Sequence, residues 1–509
     1  MYLYELTLQQ PTAIFKSAYG NFSSPKAQEV VVSRGRILEL LRFDDSGKLQ
    51  SVLSHDVFGL IRSLKAFRLT GGNRDFIVVG SDSGKISILR YDEKNNKFDK
   101  VHEETFGRSG CRRIVPGQYL TIDPKGRAVM IAAVEKQKLV YILNRDAQAK
   151  LTISSPLEAH KSHTITFDIA SLDVGFNNPL FMSLEIDYQE DKNTKKLVTY
   201  ELDLGLNHVV RKAQEIVDFT SNMLVAVPGS NDGPGGVLVC SENFVTYKNE
   251  HHPDVVARVP QRDGFYDPKR GLLMIASATH KQKGLFFFLL QSELGDIYKV
   301  DLAYADDKVS DVSVKYFDSS APGNSMCVMR NGCLFVGSEF GDHYLYQFRN
   351  MDPATDIYSI ADDGTPLFLP SKLTNLLPID RLESSAPILS AETAPSSAGD
   401  SSGGLYALCG RGGQSCVRVL RHGLSVTEMA VSDLPAAPNG IWTVKTSSSL
   451  EHDTYIVVSF ANGTIVLSIG DTVEEVSDAD SGFLGSTSTL LVALLGEDAI
   501  VQVLLICVK

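Results

Sequence analysis

Apolar residues in this chain come in short runs, rich in Val, Ile, Leu, Phe and Tyr, and turn residues close each run. Residues 77–89, "IVVGSDSGKISIL", show the unit: apolar Ile77-Val78-Val79, the turn Ser81-Asp82-Ser83-Gly84-Lys85, then a second β-branched run. The stretch approaches a phosphate-binding loop, but three residues separate Gly80 from Gly84 where that loop needs four. Ile86 stands where a magnesium-binding hydroxyl is required, and a strand follows where a helix N-terminus must face the phosphates. The local prediction is strand, turn, strand.

The turn recurs as Ser292-Glu293-Leu294-Gly295-Asp296 and Ser338-Glu339-Phe340-Gly341-Asp342. Shorter or degenerate forms stand at Ser33-Arg34-Gly35-Arg36, near Lys136, near Asn193 and at Ser241-Glu242-Asn243. Each lies between two strand-like runs, which predicts β-hairpins whose turns end on a residue with positive φ. The turn positions 35, 84, 136, 193, 243, 295 and 341 are spaced by roughly 50 residues. Seven such units predict an all-β fold, a seven-bladed β-propeller over 1–375, in which neighbouring blades bury the faces that one blade cannot bury alone. The rhythm then breaks at the Ser/Gly/Ala-rich stretch 390–404, read as a flexible loop. Hairpins resume near Gly412, at Asn462-Gly463 and in "LLVALLGEDAIVQVLL", so 376–509 reads as the start of an incomplete second propeller. The repeats fit neither WD nor Kelch chemistry: there is a single tryptophan, Trp442, and glycine doublets do not recur per blade.

Composition narrows the function. A net charge of −12 argues against a general nucleic-acid or anionic-membrane surface. Seven cysteines without a C-x-x-C pair predict reduced thiols in an intracellular protein, with neither disulfide framework nor zinc site. No signal peptide is evident, and the strongest apolar run, Gly284–Leu290, is too short to span a bilayer.

Several long strings carry more specific information: "ETFGRSGCRRIVPGQYLTIDPKGRAVMIAAVEKQKLVYILNRD" (104–146), "LTISSPLEAHK" (151–161), "YELDLGLNHVVRK" (200–212), "RVLRHGLSVTEMAVSDLP" (418–435) and "LSIGDTVEEVSDADSGFLG" (467–485). They closely resemble the family of splicing factor 3b subunit 3, the large triple-propeller subunits of the spliceosomal SF3b complex in the U2 snRNP. The resemblance covers residues 1–503. It implies a nuclear, non-enzymatic scaffold in pre-mRNA splicing and branch-site recognition, without a cofactor or metal, acting through protein–protein contacts. The implied partners are the HEAT-repeat subunit of the complex, a small helical subunit and a zinc-containing small subunit. Little or no RNA contact and no membrane contact are implied. In the family the first and third propellers form a clamp. The third propeller and a helical domain are expected to be missing here, and the residues after Val503 depart from the family pattern, as in a truncated gene model or alternative transcript.

The family's first-propeller contact segments correspond to residues 104–118 and 144–167. The implied partner-binding residues are Glu104, Arg108, Cys111, Arg112, Arg113, Gln118, Asn144, Arg145, Glu158, His160 and Lys161. Arg108, Arg112 and Arg113 beside Gly107, Gly110 and Gly117 suit an exposed loop with fork-shaped donors. Spacing alone favours a solvated or internal ion pair for Arg112-Arg113, and the resemblance reverses that order. His160-Lys161-Ser162-His163 has H-x-x-H spacing, but no cysteine or paired acid accompanies it. Ser109 lacks the second glycine spacing of a nucleophile elbow, and the glycine-rich Gly229–Gly236 reads as a loop. Two other classes remain in view: a propeller adaptor of a cullin ubiquitin ligase, after the damage-binding relative, and a propeller enzyme with catalytic groups in its central channel.

Overall fold

All seven expected turns join antiparallel strands, and each pair forms the middle of a four-stranded sheet in a computed structural model of the chain. The structure describes residues 9–504 apart from 45, 108–113, 149, 251, 283, 352–358, 371–372, 395–403, 421–432 and 471. The seven sheets, blades one to seven, span 16–56, 61–105, 119–158, 164–217, 223–258, 274–319 and 325–382. The outer strand of blade three comes in two pieces, Leu151–Ile153 and Leu157–Glu158.

The first strand of each blade is the innermost. These strands lie side by side in a cycle that returns from Ser325–Val328 of blade seven to Lys16–Gly20 of blade one. The ring is closed. A hydrophobic cluster fills each of its seven interblade seams. Blade one shows how the sequence does this. Val30, Val31 and Val32 are all fully buried; Val31 enters the seam with blade two, while Val30 and Val32 enter the seam with blade seven. Successive side chains of a strand point to opposite faces, so a continuous apolar run serves two seams at once.

Five turns have the expected left-handed residue: Gly35, Gly84, Lys136, Asn243 and Gly295. The turns near 193 and 341 are built otherwise. They are longer, and side chains hold them: Asp191 Oδ1 accepts from Asn193 N at 2.9 Å, and Ser338 Oγ accepts from Phe340 N at 3.0 Å. Side-chain acceptors here replace the positive φ that a tight turn demands.

The seam between blades seven and one joins residues over three hundred positions apart. Ile14 N donates to Ser338 O at 3.1 Å, and Ser17 N to Ser325 Oγ at 2.7 Å. His343, fully buried, completes it: Ser338 N donates to its Nδ1 at 3.1 Å, and its Nε2 lies 2.8 Å from Thr12 O. This geometry requires the neutral imidazole with the proton on Nε2. Burial lowers the His343 pKa to about 4. The unfolded chain therefore binds a proton between about pH 6.5 and 4 that the folded ring refuses, and stability falls as pH drops through that window. The expected loss is about 2 kcal/mol at pH 5 relative to pH 7.5. Urea midpoints at the two pH values check it, and His343→Gln should remove that share of the difference.

One element had no local signal. Between the third and fourth strands of blade seven the chain leaves the blade and forms Ser359–Ile360 and Pro366–Phe368. Pro366–Phe368 pairs in parallel with Gln261–Arg262, and Phe368 stacks on Tyr316 with ring centroids 4.1 Å apart in the seam of blades five and six. The chain then returns as Leu376–Leu382, the outer strand of blade seven. The expected boundary at 375 therefore falls one strand too early.

The chain divides into two compact units, 1–422 and 423–509. The first holds the ring and a three-stranded sheet of Ile388–Ala394, Gly404–Cys409 and Cys416–Leu420. Residues 390–394, expected as part of a flexible loop, are paired strand; 395–403 lie outside the described residues. The second unit holds a four-stranded sheet from Pro438–Val444 to Val473–Glu475 and the hairpin Thr489–Leu495 with Ala499–Leu504. Its core gathers Val444, Val457, Val466, Phe483 and Val492. The described cysteines, Cys240, Cys327, Cys333, Cys409 and Cys416, are free thiols.

Candidate interaction surface

Strand direction alternates within each blade, so the two ends of the ring differ. One end, the connector end, carries the middle turns and the links from blade to blade. The other carries the loops joining first to second and third to fourth strands. The connector end is where Gly84 does its work. Phe106 N and Gly107 N both donate to Gly84 O, at 2.7 and 3.1 Å. Ser63 Oγ donates to Gly117 O at 2.7 Å. The link between blades two and three is thus pinned at both ends. Gly84 has φ 77°, and a β-carbon there would lie 2.2 Å from the Gly107 carbonyl oxygen. Gly84→Ala should cost about 2 kcal/mol or more, from left-handed backbone strain together with that clash. Thermal melting and faster proteolysis within 106–118 would register it.

The structure does not bring the implied binding residues onto one surface. Glu104, at the end of the outer strand of blade two, Gln118, Glu158, His160 and Lys161 lie toward the connector end. Asn144 and Arg145 end the strand Lys138–Arg145, whose start is at the connector end. Seven residue steps of about 3.3 Å put them about 23 Å away, at the opposite end. There Arg145 borders a cleft with Arg74, Asp75, Arg90 and Asp99. Arg108, Cys111, Arg112 and Arg113 lie outside the described residues.

Lys161 is engaged within the chain. Its ammonium lies 2.6 Å from Asp187 and 3.5 Å from Glu190, tying the link after blade three to the turn of blade four. That hydrogen bond raises the Lys161 pKa and lowers the Asp187 pKa. His163, at φ 68°, packs edge-on against Tyr188, its Nδ1 3.3 Å from the Tyr188 hydroxyl. Beneath this corner, Lys138 of blade three and Glu185 of blade four form an ion pair with both side chains 2% exposed. Tyr200 OH donates to Glu185 at 2.9 Å, and Arg211 stands 3.7 Å from its second oxygen.

Gln118 points to a feature that sequence patterns did not reveal. It lines the axial channel, a cavity of about 460 Å³, together with Lys16, Lys65, Asp168 and Asn222. Asp168 accepts from Leu224 N at 2.7 Å and Ile169 N at 2.9 Å. Burial raises its pKa to about 6 against those bonds and the charges of Lys65 and Lys16. Among the described residues the lining of this cavity holds one carboxylate and no histidine. Among the described residues no three His, Cys, Asp or Glu side chains gather as a metal site. Position on a blade's first strand is the signal that would have located these channel residues. Phe58 was missed as well. It is 87% exposed in the link from blade one to blade two, at the connector end, with φ 58° and its N–H donating to Asp56 Oδ1 at 2.8 Å. A bulky aromatic held in a left-handed conformation in water is costly, and such strain clusters at functional sites.

Two sequence-family models match. One, described as the RSE1/DDB1/CPSF1 first beta-propeller, covers residues 13–383; the other, the second beta-propeller of the same family, covers 426–508. Splicing factor 3B subunit 3 of Drosophila melanogaster is 55% identical over 99% of this chain and 42% of its own length. The protein of the same name from Danio rerio is 55% identical, over 99% of this chain and 43% of its own. Pre-mRNA-splicing factor RSE1 of Mycosarcoma maydis is 50% identical, over 99% and 44%. The chain spans less than half the length of these curated relatives.

Proposed function

Because this chain belongs to the RSE1/DDB1/CPSF1 propeller family, we propose that it serves pre-mRNA splicing in the nucleus as a non-enzymatic scaffold of an SF3b-type assembly. The observation that carries this reading is the 55% identity to splicing factor 3B subunit 3, sustained over 99% of the chain. Its partners on this reading are the HEAT-repeat subunit, the small helical subunit and the zinc-containing small subunit, and contact with RNA is slight. The acidic balance, −12 overall, supports the last point. The family match over 426–508 supports reading those residues as part of a second propeller.

The contact surface is the connector end, around Glu104, Gln118, Glu158, His160 and Lys161. Two observations support it. The described ends of the link, Phe106-Gly107 and Gly117, are held by Gly84 and Ser63, which sets where the link leaves and rejoins this end. Phe58 offers an exposed aromatic at the same end. Affinity purification of the tagged chain from nuclear extract tests the reading. The HEAT-repeat subunit and U2 snRNA should be enriched. A cullin in their place would establish the ubiquitin-ligase adaptor instead.

A further inference from the structure

At the end of the ring opposite the connectors, a groove of about 580 Å³ opens between blades four and five. Its floor is apolar, made by Leu172, Leu180, Met182 and Leu197. One wall is the glycine-rich loop, with Gly233, Gly235 and Gly236 facing the space. Ser230 and Pro234 stand in the same wall, and hydrogen bonds hold the loop in place. Tyr247 OH donates to Gly235 O at 2.9 Å, Asn249 Nδ2 to Pro234 O at 3.1 Å, and a β-carbon on Gly236 would lie 2.5 Å from Lys248 O. The rim is acidic: Asp173, Glu215, Glu250, Asp254 and Asp307 line the groove beside His252, and among the described residues no lysine or arginine does.

Among the described residues three lysines, Lys248, Lys281 and Lys212, stand behind the rim. Lys248 pairs with Glu215 and Asp254 at 2.9 and 2.6 Å. Lys281 and Lys212 are shared with Asp232 and Glu201, which lie outside the lining. A net negative, partly apolar groove favours a cation with hydrophobic parts. The acids are spread around the rim and do not converge: no three described acid, histidine or cysteine side chains cluster for a metal ion. An elongated ligand satisfies this arrangement better than a point charge.

We propose that this groove binds an extended peptide segment of a partner protein, with apolar side chains flanking lysine or arginine. The apolar side chains lie against the floor, the glycines of the loop let the peptide backbone approach, and the basic groups reach the rim. This site is distinct from the connector end and does not depend on the splicing assignment.

The test is fluorescence anisotropy of the purified 509-residue chain with a labelled Leu-Arg-Leu-Arg-Leu peptide. Saturable binding is expected, with Gly-Arg-Gly-Arg-Gly and Leu-Glu-Leu-Glu-Leu at least about tenfold weaker. The double variant Glu250→Gln/Asp307→Asn should weaken the Leu-Arg peptide about tenfold, and Glu93→Gln on blade two should leave it unchanged. Gln214→Arg, which adds a positive charge to the groove lining and removes no ion pair, gives an independent check and should also weaken binding. Four results would overturn the proposal: no saturable binding, equal affinity for the Gly-Arg and Leu-Arg peptides, no loss in either groove variant, or an equal loss in Glu93→Gln.

Discussion

Replacing Glu185 by glutamine lowers the unfolding free energy of the ring by about 3–5 kcal/mol. Lys138 and Glu185 are each 2% exposed at the seam of blades three and four, where desolvation is nearly complete. Burial pushes the Glu185 carboxyl up, but the charge and hydrogen bond of Lys138, the Tyr200 hydroxyl and the charge of Arg211 outweigh it and hold it low. Lys138 fares less well: burial lowers its pKa, Glu185 offsets part of that, and Arg211 adds a like charge. Glutamine keeps the shape and leaves an ammonium in a dry seam without its counter-charge. Because the folded Glu185 pKa lies below the unfolded value, its contribution is present above about pH 4.3 and is lost as pH falls through the folded pKa. Urea denaturation at pH 7.5 measures the loss. The double variant Lys138→Met/Glu185→Leu should recover most of it, since removing both charges also removes the desolvation cost. A loss below about 1 kcal/mol for Glu185→Gln would mean that water reaches the pair.

Phe335→Ala is expected to cost about 3–5 kcal/mol, as deletion of a buried aromatic ring does. Phe335 is fully buried in the seam of blades seven and one, in a cluster with Ile14, Val30, Val32 and Leu345. Position adds a second consequence. The other seams join blades consecutive in sequence, whereas this one closes a loop of more than three hundred residues, with the attendant entropy cost. A cavity here should therefore raise amide exchange first in Lys16–Gly20 and Ser325–Val328, as the ring opens at its closure. Phe181→Ala, in the seam of blades three and four, should cost a similar amount without that local opening. Equal exchange patterns in the two variants would remove the special role of the closing seam.

The ring was legible in the sequence because each blade repeats one local event, a tight turn between two doubly buried strands. Gly84, Gly295 and Asn243 mark that turn through a backbone angle that few residues adopt. Where side chains of Asp191 and Ser338 hold a longer turn, the spacing survives and the angle does not. The parallel pairing of Gln261–Arg262 with Pro366–Phe368 had no such marker, since it joins short segments a hundred residues apart. It therefore shifted the end of blade seven. The placement of the implied binding residues was the least legible. Asn144 and Lys161 are close in sequence, but one strand of blade three separates the ends they occupy, and chain proximity says nothing about which end a residue reaches. Counting strand direction from each turn would have shown it.

Hydrogen exchange of the purified chain, alone and with the HEAT-repeat subunit at tens of micromolar, tests the central claim most directly. The expected result is slowed exchange at the connector end, in the links around Phe58, 104–118 and 157–161, with no change at Asn144 and Arg145. Absence of any protected segment, or protection confined to the opposite end, would contradict a scaffold that meets this partner through its connectors.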